Sequence, residues 1–302
     1  MWLIVAVIPY LILAAVTLVD KFFVAGPVGS ARLYTFYIGI LQIPILLLIP
    51  FVGLPAPGLD QIIIALLAGA FYMLGLFWFF RGLQEFEASR IVPAMGGMMP
   101  VLVFLLFFII SGDKALPKPI EFLAFFLLIS GSFLVAYQRA ASPIKGLKFS
   151  ALAALFVALY FVLSKYVFLE QTFWQGFVWI RAGSFLAGIF FFFFARSDIK
   201  NAFSKKRKPF SIKMTLIFLG NQSLGASASI LQIWAVALAP LVFVAMVSAL
   251  QGVQYALLFI FALLLSLKFP TILKEEISKR VIFQKIIAIL LIAAGLSILA
   301  VK

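Results

Sequence analysis

One arginine stands inside an otherwise apolar run, "FVWIRAGSFLAGIFFFFFA", residues 177 to 195 of a 302-residue chain. A charge at the centre of a membrane-crossing helix costs about 2.5–3.5 kcal/mol on insertion scales, so Arg181 needs a compensating role. It lies about 10–12 Å along a helix that begins near Phe173, where snorkelling still recovers several ångströms. If Arg181 faces a central cavity, its planar guanidinium suits the carboxylate or phosphate of an anionic or zwitterionic substrate. The competing reading is an arginine fastened to helix-end carbonyls or lipid headgroups.

Other polar side chains recur where lipid would penalise them. The stretch "GNQSLGASASILQIW" (220 to 234) places Asn221, Gln222 and Gln232, with Ser223, Ser227 and Ser229, in one run. Some of these are expected to line a watered cavity, against the alternative of interhelical hydrogen bonds. In "VSALQGVQYA" (247 to 256), Ser248, Gln251 and Tyr255 fall at i, i+3 and i+7, one helical face, with Gln254 beside them. Gln42 is a further cavity donor, and Tyr72 and Trp78 are candidate aromatic walls, although such rings also serve as packing or interface anchors. In "VPAMGGMMPV" (92 to 101), Pro93, Gly96, Gly97 and Pro100 predict a loosened or interrupted helix that forms a hinge or cavity wall. Close helix packing through Gly96 and Gly97 is the compatible alternative.

What is missing narrows the chemistry. The chain has no cysteine and no histidine, which removes thiol and imidazole catalysis, disulfides and most transition-metal sites. No catalytic constellation, metal site or cofactor is expected, and an enzyme is the least favoured class. Asp20, Asp60, Asp113, Glu121 and Glu170 all fall at or near the ends of apolar runs. Exchange of a proton for a lipophilic cation on an embedded carboxylate is therefore disfavoured, with Asp20, one residue past the first run, as the exception.

The elements that must position these residues are membrane helices. The sequence is 65% hydrophobic and 11% charged, with mean hydropathy +1.21 and 36 phenylalanines, a composition no water-soluble domain can cover. Apolar runs at 1–19, 33–53, 61–80, 91–111, 120–137, 149–168, 173–195, 213–237, 241–266 and 283–301 predict ten transmembrane helices, an all-α integral membrane fold. Residues 1–19 read as a first span, not a removed signal peptide. The net charge of +14 sits mainly between runs and is read as topology signal and contact with anionic headgroups, with no nucleic-acid role. The same holds for "KKRKP" (205 to 209).

The chain also resembles itself. "TLVDKFFV" (17 to 24) echoes "FVLSKYVF" (161 to 168), pairing Lys21 with Lys165, and "FLAFFLLISGSFLVAY" (122 to 137) echoes "IIAILLIAAGLSILAV" (286 to 301), pairing Gly131 with Gly295. Two halves of five spans, 1–138 and 148–302, must cross the membrane in opposite senses, which is the inverted repeat common in secondary transporters. With "SGDKALPKPIEFLAFFLLISGSFLV" (111 to 135) and "LKEEISKRVIFQKIIAILLIAAGLSIL" (273 to 299) ending the halves, the whole chain resembles the EamA-type branch of the drug/metabolite transporter superfamily. "VDKFF" and "ARLYTFYIGIL" are similar to the first two spans of that family. Its short Gly-Glu-x-Leu-like turn is represented by Gly112, Asp113 and Leu116 in the first half and only by Glu275 and Glu276 in the second.

The resemblance implies a carrier of amino acids, other metabolites, sugar phosphates or nucleotide sugars, with both termini inside. The Lys and Arg bias places both termini outside; the two agree that the termini share one face. The expectation is an alternating-access transporter of a small polar metabolite in the cell membrane, as monomer or homodimer. A carrier or flippase of a lipid-linked or amphipathic substrate, with phenylalanines lining a lateral groove, and a non-transporting membrane subunit are the alternatives.

Overall fold

The computed structural model describes residues 2–53, 57–86, 88–112, 117–136, 144–202, 211–255, 257–258 and 279–300. Asp113, Leu116, Glu275, Glu276, the basic run 205–209 and the end of the ninth predicted span lie outside them. Every regular element among the described residues is helical. The order is α1 (Trp2–Ala25), α2 (Ala31–Ile40), a 3-10 segment (Ile43–Leu48), α3 (Ile49–Val52), α4 (Leu59–Glu85), α5 (Ala88–Ser111) and α6 (Pro119–Ala136). There follow α7 (Ile144–Glu170), α8 (Phe173–Ala202), α9 (Ile212–Leu238), a 3-10 turn (Leu241–Phe243), α10 (Val244–Ala249) and α11 (Lys279–Ala300).

Among the described residues, seven helical segments are long and apolar enough to cross a membrane. They fall on predicted runs one to four and six to eight. Three shorter apolar helices, Pro119–Leu134, Leu241–Tyr255 and Phe283–Leu299, fall on runs five, nine and ten. Large apolar side chains on the outer faces, such as Phe51, Ile109 and Phe190, are exposed, as a multi-pass membrane protein requires.

Three boundaries differ from the sequence reading, each for a physical reason. First, α1 does not stop at Val19 but continues to Ala25, because both charges that follow are satisfied inside the bundle. Lys21 donates to the carbonyls of Leu83 and Phe86, and Asp20 accepts three hydrogen bonds. Second, the run 33–53 is no single α-helix: α2 ends at Ile40 and gives way to 3-10 geometry around Pro44, which has no N–H to continue the ladder. Third, α5 runs unbroken through Pro93 and Pro100, whereas the helix interruption falls in the ninth run, at Leu250. The expected break in the fourth span is thereby corrected.

Close approaches between glycines hold the bundle together. Gly69 of α4 lies so near α8 that a Cβ there would stand 2.0 Å from the Ile180 carbonyl oxygen, and Gly183 of α8 would meet the Leu66 oxygen at 2.3 Å. The α4–α8 seam is therefore closed backbone to backbone. Gly131 and Gly295 show a reciprocal pattern. A Cβ on Gly131 of α6 would meet Ile292 and the Ala288 oxygen of α11, while one on Gly295 would meet Leu128 and the Ala124 oxygen of α6. Each glycine thus faces the residues three and seven positions before the other.

The two lysines paired by sequence also act alike. Lys21 of α1 reaches the C-terminal carbonyls of α4 at Leu83 and Phe86, and Lys165 of α7 reaches those of α9 at Ala237 and Ala239, at 2.9 and 2.6 Å. An ammonium at a helix C-terminus satisfies orphan carbonyls and opposes the negative end of the dipole. Replacing Lys165, only 4% exposed, by Met should lower stability by about 1.5–3 kcal/mol, the usual loss of charge-assisted hydrogen bonds. Gly131→Leu should be worse, while Gly220→Ala, with open space around it, should be neutral. Thermal unfolding in detergent reads all three.

Candidate functional site

A cavity of about 460 Å³ lies among α1, α2, α4, α5, α8 and α9, with Gln251 and Gln254 closing it from the segment after α10. Arg181 projects into it from the first turns of α8. The side chain is only 3% exposed, yet no carboxylate pairs with it among the described residues. Its Nη1 donates to Gln42 Oε1 at 3.3 Å and its Nη2 to Ser229 Oγ at 2.7 Å, while Nε is buried without an acceptor. The guanidinium carbon stands 4.9 Å from the centre of the Tyr72 ring and 4.7 Å from that of Phe177. Cation–π contacts of this kind contribute about 0.5–2 kcal/mol each, so the rings offset part of the charge's desolvation without neutralising it.

Every partner of Arg181 is thus neutral. The helices hold each of them in place. Gln42 follows the end of α2 and returns its amide to the Ile38 carbonyl at 3.1 Å, which fixes its oxygen towards Arg181. Tyr72 is stacked at a tilt on Tyr160, 4.9 Å between ring centres, and its hydroxyl accepts from Ser229 at 3.4 Å. Ser184, one turn beyond Arg181 in α8, is bonded to Gly69 across the closed seam at 3.2 Å. The guanidinium is therefore oriented by packing rather than by a counter-ion.

At another part of the same cavity stands Asp20, 7% exposed and within α1. Tyr34 OH, Asn221 Nδ2 and Gln222 Nε2 donate to its Oδ1 at 2.5, 2.7 and 3.3 Å. Gln222 also donates to Tyr34 OH at 2.8 Å, closing a small network. Asp20, the exception allowed by the sequence, is therefore a carboxylate within a helix of the bundle, because α1 continues past the first apolar run to Ala25.

Of the residues singled out by sequence, Arg181, Gln42, Tyr72, Gln222, Gln232 and Gln251 line this cavity. Asn221 stands behind it as a donor to Asp20. Ser248 is buried and bonded to its own helix at Ala245, and Tyr255 is buried under α5, so the face expected for the ninth span is split by the turn at Leu250. Trp78 packs on Phe149 and Phe77 away from the cavity. In α5 the cavity wall is made by Met95 and Met99, not by Pro93, Gly96, Gly97 or Pro100. Gly96 instead admits Tyr255, whose hydroxyl would lie 1.2 Å from a Cβ at that position. Asp20, Ser229 and Gln254, which the sequence marks only in passing, also line the cavity, and Thr17, one turn before Asp20 and bonded to Gln254 at 3.1 Å, carries no signal within its apolar run. Among the described residues no carboxylate cluster is arranged to ligate a metal.

The Gly96 contact gives a direct test of packing. Gly96→Ala should destabilise the protein by about 2 kcal/mol or more, as overpacked core positions do, and Tyr255→Ala should restore much of the loss when combined with it. A thermal-unfolding double-mutant cycle measures the coupling.

No family model matches the sequence, and no curated protein matches it. Among solved structures that match, one described only as "Crystal structure of protein" superposes with a TM-score of 0.60 at 15% identity, over 99% of this chain and 95% of that one. That likeness is one of fold.

Proposed function

We propose that the chain is an alternating-access secondary transporter of a small anionic or zwitterionic metabolite, built from ten spans as two inverted five-helix repeats, 1–138 and 148–302, in the manner of EamA-type carriers. The observation that carries the function is Arg181: a buried cation whose partners are all neutral, facing a cavity of ligand size. A carboxylate or phosphate arriving there supplies the counter-charge that the bundle itself withholds, and binds through charge-assisted hydrogen bonds, including to the unfilled Nε.

Support for the repeat comes from two pairs. Lys21 and Lys165 fasten the C-termini of α4 and α9, the third spans of the two halves, and Gly131 and Gly295 meet reciprocally between the fifth and tenth. The cavity's walls differ in tightness. The α4–α8 seam is closed by glycine backbones, whereas α2 and α9, its counterpart under exchange of halves, meet through the side chains of Tyr34, Tyr37, Phe218 and Gln222. Side-chain contacts re-form more readily than a backbone seam, so movement of α9 against α2 is the natural opening step, and the opposite seam opens in the alternate state. One chain contains the whole cavity, so a monomer suffices for transport.

Thermal unfolding of the purified protein across amino acids, organic acids, sugar phosphates, nucleotide sugars and lipophilic cations tests this reading. A cognate ligand at 100-fold its Kd stabilises the native state by about 2.7 kcal/mol. Stabilisation is expected from an anionic or zwitterionic metabolite, with loss of binding and of flux in proteoliposomes for Arg181→Gln. Stabilisation confined to lipid-like compounds, or equal in the variant, overturns it.

A further inference from the structure

Two opposite charges line the same cavity, and no ion pair joins them or matches either to another residue among those described. The three donors to Asp20 all converge on Oδ1, which leaves Oδ2 without a hydrogen-bond partner. Lys21, the adjacent cation in sequence, is directed away to the carbonyls ending α4. Asp20 and Arg181 are thus two separate poles.

Helix α9 measures the distance between them. Asp20 is tied to Asn221 and Gln222, and Arg181 to Ser229, seven or eight residues further along the same helix. At 1.5 Å per residue the poles stand about 10–12 Å apart along its axis. Between them on the cavity side α9 presents Ser223, whose hydroxyl is turned back to the Leu219 carbonyl at 2.9 Å, and then Gly225 and Ala226, which fill little space. Val16, Ile38, Leu76 and Met99 line the same cavity, so much of the wall between the poles is apolar, while Thr17, Gln251 and Gln254 add neutral polar groups at its edge.

We propose that this site selects an elongated zwitterion, with its ammonium on Asp20 Oδ2, its carboxylate on Arg181 and a methylene chain between them. The proposal rests on the transporter reading above and specifies its substrate. Allowing one hydrogen bond of about 2.8 Å at each end, the ligand's charges must be separated by roughly 5 Å. An α-amino acid, whose two charges flank one carbon, reaches a single pole. A dicarboxylate leaves Asp20 facing a like charge, and a lipophilic cation leaves Arg181 facing one, so both are rejected by repulsion.

Binding of glycine, 4-aminobutanoate, 6-aminohexanoate and 8-aminooctanoate to the purified full-length protein, with hexanoate and hexylammonium as one-ended probes, tests this by calorimetry. Affinity is expected to peak at 4-aminobutanoate, whose extended charge separation matches that required by the poles, at least tenfold tighter than glycine, 8-aminooctanoate or hexanoate. Asp20→Asn should weaken 4-aminobutanoate binding at least tenfold. The length series needs no variant, so it stands even if Asp20→Asn folds poorly. A flat series overturns the two-pole site. If hexanoate still binds and Arg181→Gln abolishes that binding, the anion-binding role of Arg181 survives that failure. If no carboxylate binds here and no anionic or zwitterionic metabolite of the wider panel stabilises the protein, the transporter reading fails with it.

Discussion

The structure depends on one unneutralised charge. Arg181 is buried in a bundle of apolar helices and meets two neutral oxygens and two aromatic faces, but no anion. Such a group is expensive to keep, since intramembrane arginine costs several kcal/mol before compensation. A purely structural arginine would reach helix-end carbonyls, as Lys21 and Lys165 do. Arg181 is instead aimed into open volume, and the geometry around it is arranged to hold that aim. The closed α4–α8 seam fixes its helix against Tyr72, and the early end of α2 delivers Gln42 to it.

Much of this was legible in the sequence because charge and amide groups stand out within apolar runs. Arg181, Gln42, Tyr72, Gln222 and Gln232 converge on one cavity although they come from three helices and the turn after α2. The glycine pair and the lysine pair found by internal comparison prove to be equivalent contacts. Gly112, expected in a turn, takes a left-handed φ of +57° and ends α5.

What the sequence hid were matters of tertiary pairing. Asp20 reads as lying just past the end of the first run until Tyr34, Asn221 and Gln222 are seen to satisfy it within α1, because hydropathy counts a charge without its partners. Pro93 and Pro100 read as breaks, yet α5 continues through them, and Gly96 serves a single tyrosine rather than a hinge. The ninth run looks like one amphipathic helix, but its turn at Leu250 sends Gln251 into the cavity and leaves Ser248 and Tyr255 in packing roles. Periodicity cannot foresee a break that no proline or glycine marks at that residue.

The central claim is that the positive field of Arg181 is uncompensated within an accessible cavity. The chain has no cysteine, so a single Ile230→Cys, placed in the cavity wall beside Ser229, gives a clean reporter. Its rates of reaction with an anionic sulfonate thiol reagent and a cationic ammonium reagent of similar size should be compared. The account predicts a severalfold preference for the anionic reagent that disappears when Arg181→Gln is added. Equal preference with and without the arginine would mean that its charge is neutralised or sealed from the cavity, and would contradict the account.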